Sequence, residues 1–339
     1  MNFEICSWKH GHAFAYSITY DEGFVNLIEH ALPIHQKYGV PGHLVMVAGQ
    51  LGQVRDVPSS TYHGVRRHLR SQQLGDLIRA GWSVGDHSMS HGDLNCDTYT
   101  EVVVSKRMLE EAIGQTVTLF HLPGADFSFA PAARYLDEAG FLAVFFTDDR
   151  VNDYDPDLFA LSRTLVYVAE GEPICSLYDP FPRVYDPYHR LHEALQVGGW
   201  IVDYTHSVEP APLALWKDAT PDVLDARFDC LRRVGNGQEW AAEPEEIVDY
   251  ILVRRAASVT DVQTASDYSS FRLELGYIPG AIKCREISVT ACLSAVPAQL
   301  PTILIDGQVK ARIDYFRDNR LTFTWPANHG QVIEVNWKE

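Results

Sequence analysis

Short apolar runs alternate along most of this chain with longer stretches whose apolar positions recur at helical spacing. Ala13–Thr19, His43–Val47, Gly81–Gly85, Val117–Phe120, Leu142–Phe146, Phe159–Val168 and Gly199–Tyr204 read as strands. Between them Phe24–Tyr38, Ser71–Ala80, Thr100–Ile113, Pro131–Ala139 and Tyr188–Val197 read as helices, the first bent by Pro33 and the fourth closed by Gly140. Gly49–Arg66, with Pro58, Ser59 and Ser60 inside it, reads as a surface insertion. Pro221–Arg233 and Pro244–Arg255 add two more helices. Such alternation predicts an α/β fold of parallel strands joined by helical crossovers. After Ala257 the texture changes to short β-like runs separated by Pro279-Gly280, Asp306-Gly307, Asp318-Asn319 and Asn328-His329-Gly330. Those runs predict a C-terminal antiparallel β-sandwich, with Asp306-Gly307 as a hairpin turn. The expected division is a large α/β domain over residues 1–257 and a small all-β accessory domain over 258–339.

Composition narrows the function class without choosing it. A hydrophobic fraction of 46% and a charged fraction of 22% suit a globular protein with a sizeable core. The formal net charge of −17 offers no basic stripe for phosphates, so nucleic acid is not an expected partner. Six cysteines fall without a Cys-x-x-Cys pair, which argues against a zinc knuckle or a disulfide framework. No signal peptide and no membrane-length apolar run is visible, which makes the cytoplasm the expected compartment and a membrane an unexpected partner.

The candidate chemistry gathers at the C-terminal ends of the expected strands, where barrels of this class carry their functional residues. Asp21, Glu22, His87, His91, His121, Asp148, Asp149 and His206 all fall there. Taken singly, each is more simply a solvated loop residue; their joint placement is the signal. His87 and His91 are four apart, and if the chain turns helical there, both imidazoles can reach one ion at about 2.0–2.1 Å. Glu22, beside Asp21, can supply the carboxylate of a two-histidine, one-carboxylate set.

These segments resemble the polysaccharide deacetylase family, the NodB-homology domain of carbohydrate esterases. Thr19-Tyr20-Asp21-Glu22-Gly23 is similar to its first motif and His87-Ser88-Met89-Ser90-His91 to its second. His121-Leu122-Pro123-Gly124 is similar to the third and Tyr204-Thr205-His206 to the last. The resemblance implies a distorted (β/α) barrel of about seven strands, in line with the alternation. It implies a metal-dependent hydrolase that removes N-acetyl or O-acetyl groups from an amino sugar or polysaccharide. Asp21 would be the base that deprotonates a metal-bound water and His206 the acid for the leaving amine. Glu22, His87 and His91 would hold a divalent ion, zinc first, with cobalt or nickel as alternatives. His121, Pro123, Gly124, Asp148, Asp149, Arg150 and Tyr204 would line the substrate site.

Three departures from the family pattern stand out. The second acid is Glu22, not aspartate; His121 replaces the arginine that pairs with the base, with Arg150 as a candidate substitute; and the segment Thr147–Asp155 lacks the tryptophan of the fourth motif. Two other readings compete: a non-haem iron oxygenase using the same triad, and a catalytically silent glycan-binding barrel. His10 with His12, His189 with His192, and the aromatic segment Tyr178–Tyr188 are weaker constellations. In the tail, Tyr277, Trp325 and Trp337 are candidates for glycan contact, with homo-oligomerisation as the other role considered.

Overall fold

The computed structural model describes residues 2–56, 65–94, 96–124, 135–169, 184–212, 214–265, 268–293, 300–309, 311–317 and 319–337. The first part of the expected helix at 131–139 and the aromatic segment up to residue 183 lie outside the described residues. Two compact units emerge, one of Phe14–Glu245 and one combining Met1–Ala13 with Glu246–Glu339. The change of texture read at 257 falls inside the second unit, and the first thirteen residues join it as well.

The second unit contains strand β1 (Asn2–Ile5), and the unit Phe14–Glu245 contains β2 to β12. These are β2 (Phe14–Asp21), β3 (His43–Met46), the ribbon β4 (Val54–Asp56) and β5 (Val65–Arg67), β6 (Ser83–Asp86), β7 (Leu119–His121), β8 (Ala143–Phe146), β9 (Leu161–Ser162), β10 (Thr164–Leu165), β11 (Trp200–Thr205) and β12 (Glu239–Ala241). All but the ribbon form one parallel sheet in the order β10-β11-β2-β3-β6-β7-β8-β9. Since β9 and β10 flank the single residue Arg163, this segment pairs with β8 through Leu161 and Ser162 and with β11 through Thr164 and Leu165. The sheet therefore returns on itself as a nearly closed parallel barrel. β12 pairs with Phe14–Tyr16 of β2, below the stretch Thr19–Asp21 that pairs with β3, and so makes a short eighth strand.

Strand alternation sorts side chains between lumen and helical layer. Every residue of β2 is buried, as a barrel wall covered on both faces requires. Tyr16 and Tyr20 point outward: Tyr16 donates to Asp203 Oδ2 at 2.6 Å, and Tyr20 stacks on Trp82 with ring centroids 5.2 Å apart. Ser17, Thr19 and Asp21 point into the lumen, where Trp200 Nε1 donates to Ser17 Oγ at 3.2 Å and Arg163 meets Thr19 and Asp21. Gly85 keeps the lumen open, because a Cβ there would lie 2.5 Å from His43 Nε2. The expected helix 24–38 is two shorter ones, Asn26–His30 and Leu32–Tyr38, with Pro33 in the first turn of the second.

In the other unit, β1 pairs with the strand Glu286–Cys292 in a four-stranded antiparallel sheet, and a five-stranded one contains the hairpin Thr302–Ile305 to Gln308–Val309. Asp306 and Gly307 take φ of +50° and +73°, the left-handed pair that a two-residue hairpin favours. Trp325 is fully buried and stacked on Phe323, so it belongs to the core and not to a glycan surface, whereas Tyr277 is 87% exposed. His10 is committed to its own unit, 3.0 Å from both Thr324 Oγ1 and Asp314 Oδ1, and is not a free partner for His12.

Candidate active site

Asp21 ends β2 and presents its carboxylate at the C-terminal rim of the lumen. Its Oδ1 accepts a 2.6 Å hydrogen bond from Arg163 Nη1, and its Oδ2 lies 3.7 Å from His87 Nε2. Burial opposes the charge, but the Arg163 guanidinium, helped by His87 and His206, holds this carboxyl well below the usual carboxylate range. Arg163 is fully buried and also sits 4.7 Å from the centre of the Tyr204 ring. It thus takes the orienting role that the sequence reading offered to Arg150. Arg150 is an exposed side chain paired with Asp148. Arg163 was missed because it stands inside an apolar run, with no motif residue beside it; its lumen-facing register is the signal that could have found it.

Glu22 turns the other way. It and Gly23 both have positive φ, +66° and +61°, a sharp exit from the strand. Its Oε1 lies 3.5 Å from Lys217 Nζ and its Oε2 3.4 Å from Arg55 Nη2, with Arg55 supplied by the β4–β5 ribbon. Burial raises this carboxyl, but Lys217 first and the nearby histidines after it bring it below its ordinary value. Lys217 is itself buried, and that burial lowers its own proton affinity. The sequence reading passed over both cations.

His87 follows β6. Asp86 points outward and accepts from the Ser88 N–H at 2.9 Å and the Ser105 hydroxyl at 2.6 Å; burial pushes it up to about 8. This pins a tight turn with Ser88 at φ +70° and His91 at φ +58°, closed by the His91 N–H donating to Ser88 Oγ at 3.0 Å. The segment is a turn and not the helix assumed from the four-residue spacing, yet the rings of His87 and His91 lie 4.8 Å apart, edge to face. His87 Nδ1 donates to the His121 carbonyl at 2.8 Å, which fixes the tautomer and directs Nε2 toward Asp21. Burial, more than any neighbour, lowers His87 to about 4. His206, after β11, has Nδ1 3.2 Å from the Lys217 carbonyl, and burial together with the Lys217 charge lowers it to about 3.

The residues expected to line the substrate site divide. Tyr204 faces the lumen under Arg163, and Gly124 is exposed at φ +67° beside the buried Pro123. His121 is fully buried and stacked on Phe145 at 4.4 Å, so it supports the site through its carbonyl and its packing, not by touching substrate. Asp149 is bound to His189 at 2.9 Å and Arg190 at 3.1 Å, an anchor for the helix Leu191–Val197. Trp216, beside Lys217, packs on the Phe24–Ala214 cluster and is an aromatic the motif reading did not include.

The ligand set is where geometry and expectation part. No three of Asp21, Glu22, His87, His91 and His206 offer ligand atoms that all lie within 4.8 Å of one another. Among the described residues the group that meets this condition is Glu246, Cys284 and Glu286, in the other unit, and Lys9 already pairs there with both glutamates. An ion bonded to Glu22 Oε1 at about 2 Å would lie at most about 5.5 Å from Lys217 Nζ. A dication and an ammonium at that separation repel by roughly 6 kcal/mol at an effective dielectric constant of about 20. Bonding through Oε2 meets Arg55 instead. Glu22, His87 and His91 therefore do not fit a three-ligand divalent site, nor does the triad that an iron oxygenase would need.

Residues 10–144 match the family model described as polysaccharide deacetylase. Over that segment the chain is similar to polysaccharide deacetylases. It is 22% identical over 153 residues to "Putative polysaccharide deacetylase YxkH" of Bacillus subtilis (strain 168), a match that takes in 44% of this chain and 50% of that one. The chain thus spans half the length of the curated deacetylase it matches. Among solved structures, the "putative polysaccharide deacetylase from Mycobacterium smegmatis" is 15% identical with a TM-score of 0.46, over 77% of this chain and 98% of that one. The Streptococcus pyogenes deacetylase PplD, in complex with acetate, is 19% identical with a TM-score of 0.37, over 44% and 62%. The matched deacetylase segment contains Asp21, Glu22, His87, His91 and His121; Arg163, His206 and Lys217 lie beyond it.

Proposed function

We propose that this chain is a hydrolase that removes an acetyl group from an N-acetylated amino sugar or oligosaccharide. The observation that carries the reading is the buried Asp21–Arg163 pair, which leaves Oδ2 facing the rim and His87 while Arg163 holds Oδ1. A carboxylate kept ionised and aimed by one oxygen can take a proton from water with the other. The water oxygen bonds to the acetyl carbon as its proton passes to Asp21 Oδ2. The C–N bond then breaks, its electron pair going to nitrogen, and that nitrogen takes a proton from His206. Acetic acid and the free amine result; the acid ionises to acetate in solution, and the proton taken by Asp21 replaces, through solvent, the one His206 gave. His206 must carry a second proton to donate one, and burial with Lys217 opposes this. Activity should therefore decline with rising pH along a limb that lies below the ordinary histidine value of about 6.5. The resemblance implies a divalent ion that would activate the water. The residues do not gather to hold one, and no step here passes through it.

The test is acetate release from a panel of N-acetylated sugars and chito-oligosaccharides. Asp21→Asn, which keeps an amide oxygen for Arg163, should fold normally and lose about 10²–10⁴ in turnover. His206→Ala should remove the basic limb. Full activity in Asp21→Asn would overturn the assigned base. A folded wild-type protein that releases acetate from none of the panel would favour the silent glycan-binding barrel.

A further inference from the structure

Glu22 stands where the family places a metal-binding carboxylate, yet both of its oxygens face cations. Lys217 Nζ is 3.5 Å from one and Arg55 Nη2 is 3.4 Å from the other. Lys217 is not a surface side chain that swings past. It is 5% exposed, and its segment is fastened to the rim of β11: its carbonyl accepts from Thr205 Oγ1 at 3.1 Å, and Asp218 accepts from the Ser207 N–H at 3.1 Å. Arg55 is held on its side by donating from Nε to His68 Nε2 at 3.1 Å, while His68 Nδ1 donates to the Glu22 carbonyl at 2.8 Å. The two cations are thus built in from two separate segments, the ribbon and the loop after β11. The adjacent carboxylate, Asp21, is paired to Arg163.

We propose that Lys217 is a charge substitute for the metal ion: its ammonium, with Arg55, neutralises Glu22, so that this barrel takes up divalent metal weakly and carries its site's positive charge on its own side chains. The inference rests on the deacetylase reading only for the place where an ion is expected, since the geometry around Glu22 stands by itself. In such a site Lys217 is a positioning residue. It occupies Glu22 Oε1, the carboxylate oxygen that would otherwise be open to an ion shared with His87 and His91.

The experiment is zinc binding by the purified chain, measured by elemental analysis after equilibrium dialysis and by titration calorimetry. It needs no substrate, so its failure and the failure of the deacetylase reading are distinguishable. Wild type and Lys217→Arg, which keep the charge, should hold well under one equivalent at low micromolar zinc. Lys217→Met, which frees Glu22 Oε1 and leaves Oε2 with Arg55, should bind at least about tenfold more tightly, as expected when a cation a few ångströms from the ion is removed. Stoichiometric tight zinc in the wild type would overturn the proposal, and so would a folded Lys217→Met that binds no better. Should Lys217→Met not fold, Glu22→Gln decides. A carboxylate already neutralised contributes no ligation, so zinc affinity should stay at the wild-type level, and a loss of about tenfold or more would show Glu22 to be a ligand after all.

Discussion

Two buried carboxylate–guanidinium pairs stand on opposite faces of the same barrel wall, and they differ in how completely the carboxylate is satisfied. On the outer face Asp203 accepts four hydrogen bonds: from Tyr16 at 2.6 Å, Thr164 at 2.6 Å, and Arg227 at 2.7 and 3.0 Å. Arg227 in turn donates to the carbonyls of Pro187 and His189, both at 2.8 Å. On the lumen face Asp21 has one oxygen bonded to Arg163 and the other only within 3.7 Å of His87. A saturated pair can do nothing but hold elements together. A half-satisfied pair at a strand end keeps lone pairs for a substrate or a water, and that open valence separates a catalytic carboxylate from a structural one.

The comparison breaks first on stability. Arg227→Met leaves Asp203 buried without its counter-charge, which typically costs about 3–5 kcal/mol, and the denaturant midpoint should fall accordingly. Asp21→Asn should cost less, because an amide still accepts from Arg163. If Asp21→Asn proved the more damaging of the two to the fold, the lumen pair would be structural and the assignment of faces would reverse.

It breaks next on activity. Arg163→Lys keeps a positive charge but not the fixed guanidinium that reaches Thr19 Oγ1 at 3.2 Å and Asp21 at 2.6 Å together, so turnover should drop by about tenfold or more. Arg150→Ala removes an exposed ion pair with Asp148 and should leave turnover within about twofold of wild type. Equal losses from both would return Arg150 to the role first considered for it.

The sequence shows the barrel clearly because its strands are buried on both faces, short and rich in apolar residues, which makes their number and order visible. The rim carboxylates and histidines were visible for the same reason, since they follow those strands directly. What could not be read was direction. Asp21 and Glu22 are adjacent, and only the left-handed turn at Glu22 and Gly23 shows that one stays with Arg163 while the other goes to Lys217 and Arg55. Arg163 was hidden between β9 and β10 and Lys217 in the loop between β11 and the helix Pro221–Gly235, and both act through pairings some 140 to 195 residues away in sequence. The membership of Asn2–Ile5 in the C-terminal sheets was likewise a long-range pairing that no local pattern announces.

The smallest expected effect separates the two faces through histidine. His35, in the helical layer, is fully packed against Trp82 and Phe228, donates from Nδ1 to the Val40 carbonyl at 2.7 Å and pairs through Nε2 with the Tyr20 hydroxyl at 2.6 Å. Burial lowers it to about 3, and burial lowers His87, in the lumen layer, to about 4. In the unfolded chain both return to about 6.5, so between those values the unfolded state binds more protons than the native one. The stability each neutral ring contributes is complete above pH 6.5 and is lost as pH falls toward its native value, about 1.4 kcal/mol per histidine at pH 5.5. His35→Gln and His87→Gln should each flatten the acid side of a stability–pH curve by about one proton, whatever they do to the stability at pH 7. Only His87→Gln should also reduce acetate release, because only His87 faces Asp21. Urea unfolding between pH 7 and 5, with turnover measured on the same samples, reads both. A loss of turnover in His35→Gln equal to that in His87→Gln would mean that the outer layer shares in the chemistry, and the division between a holding face and a working face would not stand.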